Sequence, residues 1–169
     1  YPFQLAYILQ VLPDITEPES KFRDVVDLLW FPTGGGKTEA YLGVAAFVIF
    51  YRRLSKATQN DGVTILMRYT LRLLTIQQFE RAAALICACE HLRKLNSIPG
   101  GEISIGLWIG SGMTPNHIEG ERGAATILSE LRDDPDKRIN EGNPVQITNC
   151  PWCGEKIDLD GYHIVKDQG

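Results

Sequence analysis

Apolar residues recur along the chain in two rhythms, and the change from one to the other predicts the order of elements. Leu5, Ile8, Leu9 and Leu12 follow helical spacing, and Pro13 is expected to end that helix. The polar stretch from Asp14 to Arg23 reads as a surface loop, and the apolar run from Val25 to Phe31 as a strand. A second helix is expected from about Thr38 to about Leu54, where Ala45, Ala46 and Val48 permit close packing. It gives way to a polar loop, Ser55 to Gly62, whose Asn60-Asp61-Gly62 is a turn signal, and then to a buried strand, Val63 to Met67. Thr70 suits the N-cap of a third helix running through Phe79, Ala82, Ala83, Ile86 and Leu92 to Leu95. Beyond Pro99-Gly100-Gly101, residues Ile103 to Gly110 read as a third strand. Ala124, Ile127, Leu128 and Leu131 mark a short amphipathic helix closed by Asp133-Asp134-Pro135. Strands alternating with helices imply an α/β three-layer fold with a mainly parallel sheet.

Between the first strand and the second helix lies Phe31-Pro32-Thr33-Gly34-Gly35-Gly36-Lys37-Thr38-Glu39. A strand, a glycine-rich turn and a helix in this order are the setting of a phosphate-binding P-loop. Three glycines let the backbone take positive φ and approach a ligand closely, while the N–H groups of the turn and helix start point at phosphate oxygens. Lys37 would reach the β- and γ-phosphates and the Thr38 hydroxyl would ligate magnesium. Phe31 replaces the first glycine of the usual G-x-x-x-x-G-K-[ST] pattern.

Composition narrows the class. With 169 residues and 44% hydrophobic content, the chain can bury one core or one core plus a small appendage. No apolar run approaches the roughly 18 residues of a membrane span, and the first residues lack signal-peptide character, so a cytoplasmic protein without membrane contact is expected. A net charge of −4 rules out a broadly basic surface. The segment Val63 to Leu95 is nevertheless locally basic, with Arg68, Arg72, Arg81, Arg93 and Lys94 against Glu80 and Glu90. Arg68, Thr70 and the helix start suit a nucleic-acid phosphate, and the same residues equally suit a solvated helix face.

The four cysteines divide into two pairs. Cys87 and Cys89 fall on different faces of a helix and read as small core residues. Cys150 and Cys153, within Asn149-Cys150-Pro151-Trp152-Cys153-Gly154, have the spacing of a zinc knuckle. A redox Cys-x-x-Cys would need a helix after the second cysteine, whereas Gly154 and a hairpin-like Glu155 to Lys166 follow here. Two thiolates make half of a structural zinc site, with His163 a weak third ligand. The division expected is a P-loop domain over residues 1–142 and the start of a zinc-ribbon-like insertion, a small β hairpin, over residues 143–169.

Pro32-Thr33-Gly34-Gly35-Gly36-Lys37-Thr38 resembles motif I of superfamily 2 helicases, in which a non-glycine commonly stands at the Phe31 position. Arg72-Leu73-Leu74-Thr75-Ile76-Gln77 is similar to their motif Ia, although Leu71 stands where the threonine beside the arginine is usual and Thr70 lies one place earlier. Phe3-Gln4 resembles the aromatic and glutamine found upstream of motif I. With the Cys-Pro-Trp-Cys-Gly insertion, the combination looks most like the helicase of DISARM-type bacterial anti-phage systems.

The resemblance implies the beginning of a first RecA-like domain that binds ATP and Mg2+. Phe3 would stack on adenine and Gln4 read its edge. Thr33, Gly34, Gly35, Gly36, Lys37, Thr38 and Glu39 would surround the phosphates, and Arg68, Thr70, Arg72 and Gln77 would touch nucleic acid, DNA before RNA. It also implies partner proteins of a defence complex and Zn2+ at Cys150 and Cys153. The Asp-Glu pair and second-domain arginine that such enzymes need for hydrolysis do not occur in these residues, so the chain by itself is expected not to turn over ATP. Two other classes fit parts of the sequence: a P-loop phosphotransferase or AAA-type ATPase, and a zinc-ribbon interaction module with a vestigial P-loop.

Overall fold

The computed structural model describes residues 1–32, 34–55, 62–69 and 72–165, the side chains of residues 72–74 excepted. Its elements are four α-helices, α1 (Pro2–Thr16), α2 (Lys37–Ser55), α3 (Arg72–Leu95) and α4 (Ala124–Asp133), followed by a 3-10 turn, Leu159–Gly161. The chain divides into two units. The first holds Tyr1–Tyr69 and Leu85–Ser104, the second Thr70–Ala84 and Ile105–Gly169.

The helices follow the apolar periodicity closely. Pro13 does not end α1, which continues to Thr16. The last turn is kept by the Glu17 N–H donating to Pro13 O at 2.8 Å and by the Thr16 hydroxyl donating to Leu12 O at 3.0 Å. α1 lies against α2 through a close approach at Gly43, where a Cβ would stand 3.0 Å from Ile8 Cδ1. Tyr51 Oη donates to Thr16 O at 3.0 Å and fixes the other end of the same contact.

The sheet does not form. Among the described residues there is no strand, only an isolated antiparallel bridge between Asn149 and Lys156, and this overturns the expected α/β three-layer, RecA-like fold with a mainly parallel sheet. Val25 to Phe31, Val63 to Met67 and Ile103 to Gly110 carry the composition of strands, but composition supplies only a face to bury. A ladder needs a second backbone about 4.8 Å away to take its N–H and C=O groups. None pairs here, and much of the apolar surface stays open: Val26 is 90% exposed, Trp30 87%, Leu66 88% and Trp108 99%. The expected C-terminal β hairpin is likewise reduced to the one bridge, because the 3-10 turn Leu159–Gly161 takes up the backbone where the returning strand would lie.

In the first unit the core gathers around Ile49 of α2, Cys89 of α3 and Ile103, with Ala46, Phe50, Ile65, Leu85 and Ile86 packed on it. Cys89 is 2% exposed, as a small core residue should be, and burial raises its thiol pKa. Among the described residues of this unit, Arg53 is the buried charge. Its guanidinium donates to Pro99 O at 3.2 Å and Gly101 O at 2.8 Å, tying the end of α2 to the loop after α3. In the second unit Ile127, Leu128 and Leu131 of α4 are buried, and Arg132 donates to Leu159 O and Tyr162 O at 3.3 and 2.7 Å.

Glu90 anchors the end of the first unit's core. Its carboxylate accepts both Arg93 Nε and Nη2 at 2.7 Å and the Ile103 N–H at 2.9 Å. The Arg93 hydrogen bonds, then that of Ile103, hold its pKa down at about 2 from the usual 4.5. A carboxyl depressed in the folded state stabilises fully above its unfolded pKa, and that contribution fades as pH falls from about 4.5 towards about 2. Glu90→Gln should therefore cost about 1–3 kcal/mol at pH 7, with the gap to wild type narrowing at pH 3. Urea unfolding at both pH values measures this, and an equal gap at both would show that the network does not depend on the charge.

Candidate functional site

The start of α2 is where the residues singled out by the P-loop pattern meet. Gly34 and Gly36 have φ of +80° and +81°, a conformation that favours glycine, and α2 begins at Lys37 immediately afterwards. The positive end of the helix dipole therefore lies beside the glycine turn. The strand expected before the turn is missing, so the turn is held in another way. Lys37 Nζ folds back and donates to Phe31 O at 2.7 Å and Pro32 O at 2.9 Å, and the Gly35 N–H donates to Pro32 O at 3.3 Å.

Two side chains from α1 complete the arrangement. Gln4 Nε2 donates to Gly36 O at 2.7 Å, and the Phe3 ring stacks on Phe31 with centroids 3.8 Å apart and planes 11° from parallel. Tyr1 stacks on Phe3 in turn, at 6.2 Å. The pair Phe3-Gln4 thus reaches the glycine turn from α1. The sequence contains no signal that Gln4 would hold a backbone carbonyl of the turn or that Phe31 would cover one face of Phe3. The Thr38 hydroxyl lies 2.9 Å from Tyr41 Oη, one turn further along α2. Glu39 is exposed on the first turn, where its negative charge complements the helix dipole. Thr33 lies outside the described residues.

The candidate nucleic-acid residues are described only in part. Arg68 is exposed in the first unit and Gln77 is exposed on α3 in the second. Thr70, the expected N-cap, and the side chain of Arg72 lie outside the described residues. At the other candidate site, Cys150 and Cys153 flank a tight turn in the second unit. The thiol pKa of Cys150 is lowered, chiefly by the backbone N–H of Cys153 and then by that of Trp152. No group of three or more His, Cys, Asp or Glu that could hold a metal is found among the described residues, and His163, the weak third ligand, is exposed. Nor is any helix of the described residues long and apolar enough to cross a membrane.

The turn's geometry can be tested through Gly36. A Cβ there would stand 2.8 Å from Gln4 Nε2 and 3.2 Å from Glu39 Oε2, at a φ that L-residues avoid. Gly36→Ala should cost about 1–2 kcal/mol, while Gly106→Ala, at a position with open space around it, should cost much less. Thermal unfolding of the two variants decides the point, and equal losses would show that the turn is not constrained as described.

No family model matches the chain, and no solved structure matches it. The sequence is 47% identical over 163 residues to the DISARM protein DrmA of Bacillus paralicheniformis, and the match takes in 92% of this chain and 14% of that protein. The chain is thus a relative of a DISARM protein and spans a small part of that relative's length.

Proposed function

We propose that this chain is the ATP-binding portion of an ATP-dependent DNA helicase or translocase that serves bacterial anti-phage defence together with partner proteins. The observation that carries the reading is the glycine turn at the start of α2, with Gly34 and Gly36 at positive φ and Lys37 folded across it. The defence role rests on the similarity to a DISARM protein.

Each residue of the turn has a defined task in this reading. The N–H groups at the start of α2 bind phosphate oxygens, helped by the helix dipole. Lys37 exchanges its two carbonyl partners for the β- and γ-phosphates, a favourable trade because an ammonium pairs more strongly with a dianion than with neutral carbonyls. The Thr38 hydroxyl, now 2.9 Å from Tyr41 Oη, would help hold a magnesium ion, which would supply charge neutralisation for the phosphates. Phe3 and Gln4 stand beside the turn, where a base can engage them. Gln4 then links base to phosphate, since an amide drawn to the base is drawn off the Gly36 carbonyl. Arg68, Thr70, Arg72 and Gln77 contact the nucleic-acid backbone, so affinity comes from phosphate contacts with little sequence preference.

Two experiments on the whole protein test this reading. Lys37→Ala should lower DNA-stimulated ATP hydrolysis by about a hundredfold or more, and turnover that survives the substitution sinks the proposal. Arg72→Ala should weaken DNA binding about equally across sequences and flatten the salt dependence by roughly one phosphate contact. An unchanged salt slope assigns that segment to a solvated helix face instead.

A further inference from the structure

Phe31 makes two contacts that belong to different halves of the candidate site. Its ring lies on Phe3 of α1, with centroids 3.8 Å apart and planes 11° from parallel, while its carbonyl accepts Lys37 Nζ of α2 at 2.7 Å. Lys37 also donates to Pro32 O at 2.9 Å, so its ammonium is clamped by Phe31 and the residue next to it. The ring covers the turn as well. A Cβ at Gly35 would stand 2.7 Å from Phe31 Cδ1 and 3.2 Å from Cε1, which gives a reason for glycine at the one position of the three without a positive φ. All of these residues belong to the first unit.

This arrangement sets a competitor against each half of a nucleotide. A base that stacks on Phe3 needs a free ring face, and Phe31 lies on one at stacking distance. Phosphate oxygens need the Lys37 ammonium, and two carbonyl oxygens hold it. Both competitors sit on one short piece of backbone that little else restrains. Among the described residues no backbone-to-backbone hydrogen bond ties residues 26–31, and Phe31 is 42% exposed despite its stack. Moving Phe31 therefore breaks no ladder and opens no core. A change at either end reaches the other. When Lys37 turns to phosphate, Phe31 loses the bond that fixes its carbonyl, and when the ring leaves Phe3, the carbonyls that hold Lys37 move with it. Linkage makes the two effects equal in free energy.

We infer that Phe31 is a positioning residue, a latch that competes with nucleotide at both ends of the site and couples base binding to phosphate binding through its ring on Phe3 and its carbonyl on Lys37. The inference rests on the nucleotide-binding reading and adds a regulation to it. Nucleotide binds by displacing the latch, so its apparent affinity is reduced in proportion to the share of molecules in which the latch is open.

Titration calorimetry of the whole protein with magnesium–ADP and with magnesium pyrophosphate, which carries no ring, tests the latch. Phe31→Ala should tighten the binding of both ligands by about three- to tenfold, the factor by which one aromatic pair can shift a closed–open equilibrium. Phe3→Ala should tighten pyrophosphate by a similar factor, although pyrophosphate has nothing to place on Phe3, and the double variant should go no further. Phe31→Tyr keeps a ring that stacks and should restore the weaker binding. A purely structural role predicts weaker binding in both alanine variants. Should thermal unfolding show that Phe31→Ala does not fold, Phe31→Leu, which keeps apolar bulk over Gly35 without a ring, takes its place. Pyrophosphate affinity that is unchanged or weakened in the single variants overturns the latch and, where wild type still binds through Lys37, leaves the nucleotide reading standing. Tightening in Phe31→Ala without tightening in Phe3→Ala also overturns it, because the ring pair then carries no coupling. Binding of neither ligand by wild type and by every variant overturns both the latch and the nucleotide reading.

Discussion

Helix α2 is the member that the first unit is assembled on, and its entry through two left-handed glycines fixes where that helix can start. Gly34 and Gly36 turn the backbone sharply enough for α2 to begin at Lys37. Further along, Gly43 admits Ile8 of α1, Ile49 enters the core beside Cys89 and Ile103, and Arg53 holds the loop after α3. One helix therefore links the candidate phosphate site to the core. Burial of its apolar side chains, at about 1.5–3 kcal/mol for each one fully removed from water, stabilises the geometry of its first turn as well.

That geometry costs something to hold. Positive φ at Gly34 and Gly36, on either side of Gly35, favours glycine at both sites, and a helix start leaves its first backbone donors without helical partners. The structure compensates locally. Lys37 caps the turn's carbonyls, Gln4 takes up the Gly36 oxygen, and Phe31 is held by stacking on Phe3. Each of these contacts is polar or edge-of-core, so each can be exchanged for a ligand contact at small net loss, as a binding site requires.

The helices were legible in the sequence because a 3.6-residue apolar period needs no partner to be recognised. Leu5, Ile8 and Leu12, Ile127, Leu128 and Leu131, and the glycine turn before Lys37 each marked an element that the structure contains. Strands are different, since Val25 to Phe31 and Ile103 to Gly110 specify an apolar segment but not its neighbour. Ile103 is buried and Ile105, Leu107 and Ile109 are half-buried while Ser104, Gly106, Trp108 and Gly110 are exposed, so the alternation survives without the ladder. At the candidate site, the positive-φ glycines and the helix start at Lys37 followed from spacing, whereas the bonds of Lys37 to Phe31 O and Pro32 O had no signal in the sequence. The bond from Gln4 to Gly36 and the ring pair Phe3–Phe31 had none either, because contacts between distant segments depend on how α1 packs on α2 rather than on any local pattern.

The claim at the centre of this account is that the turn before α2 is built to take a nucleotide's phosphates. Hydrogen exchange of the backbone amides from Gly34 to Thr38, followed in the whole protein with and without magnesium–ADP, addresses it directly. The expected result is slower exchange at these amides on adding the nucleotide, with Gly154 unaffected, and loss of that protection in Lys37→Ala. Unchanged exchange at the start of α2 under saturating nucleotide, or protection that persists without Lys37, would contradict the account.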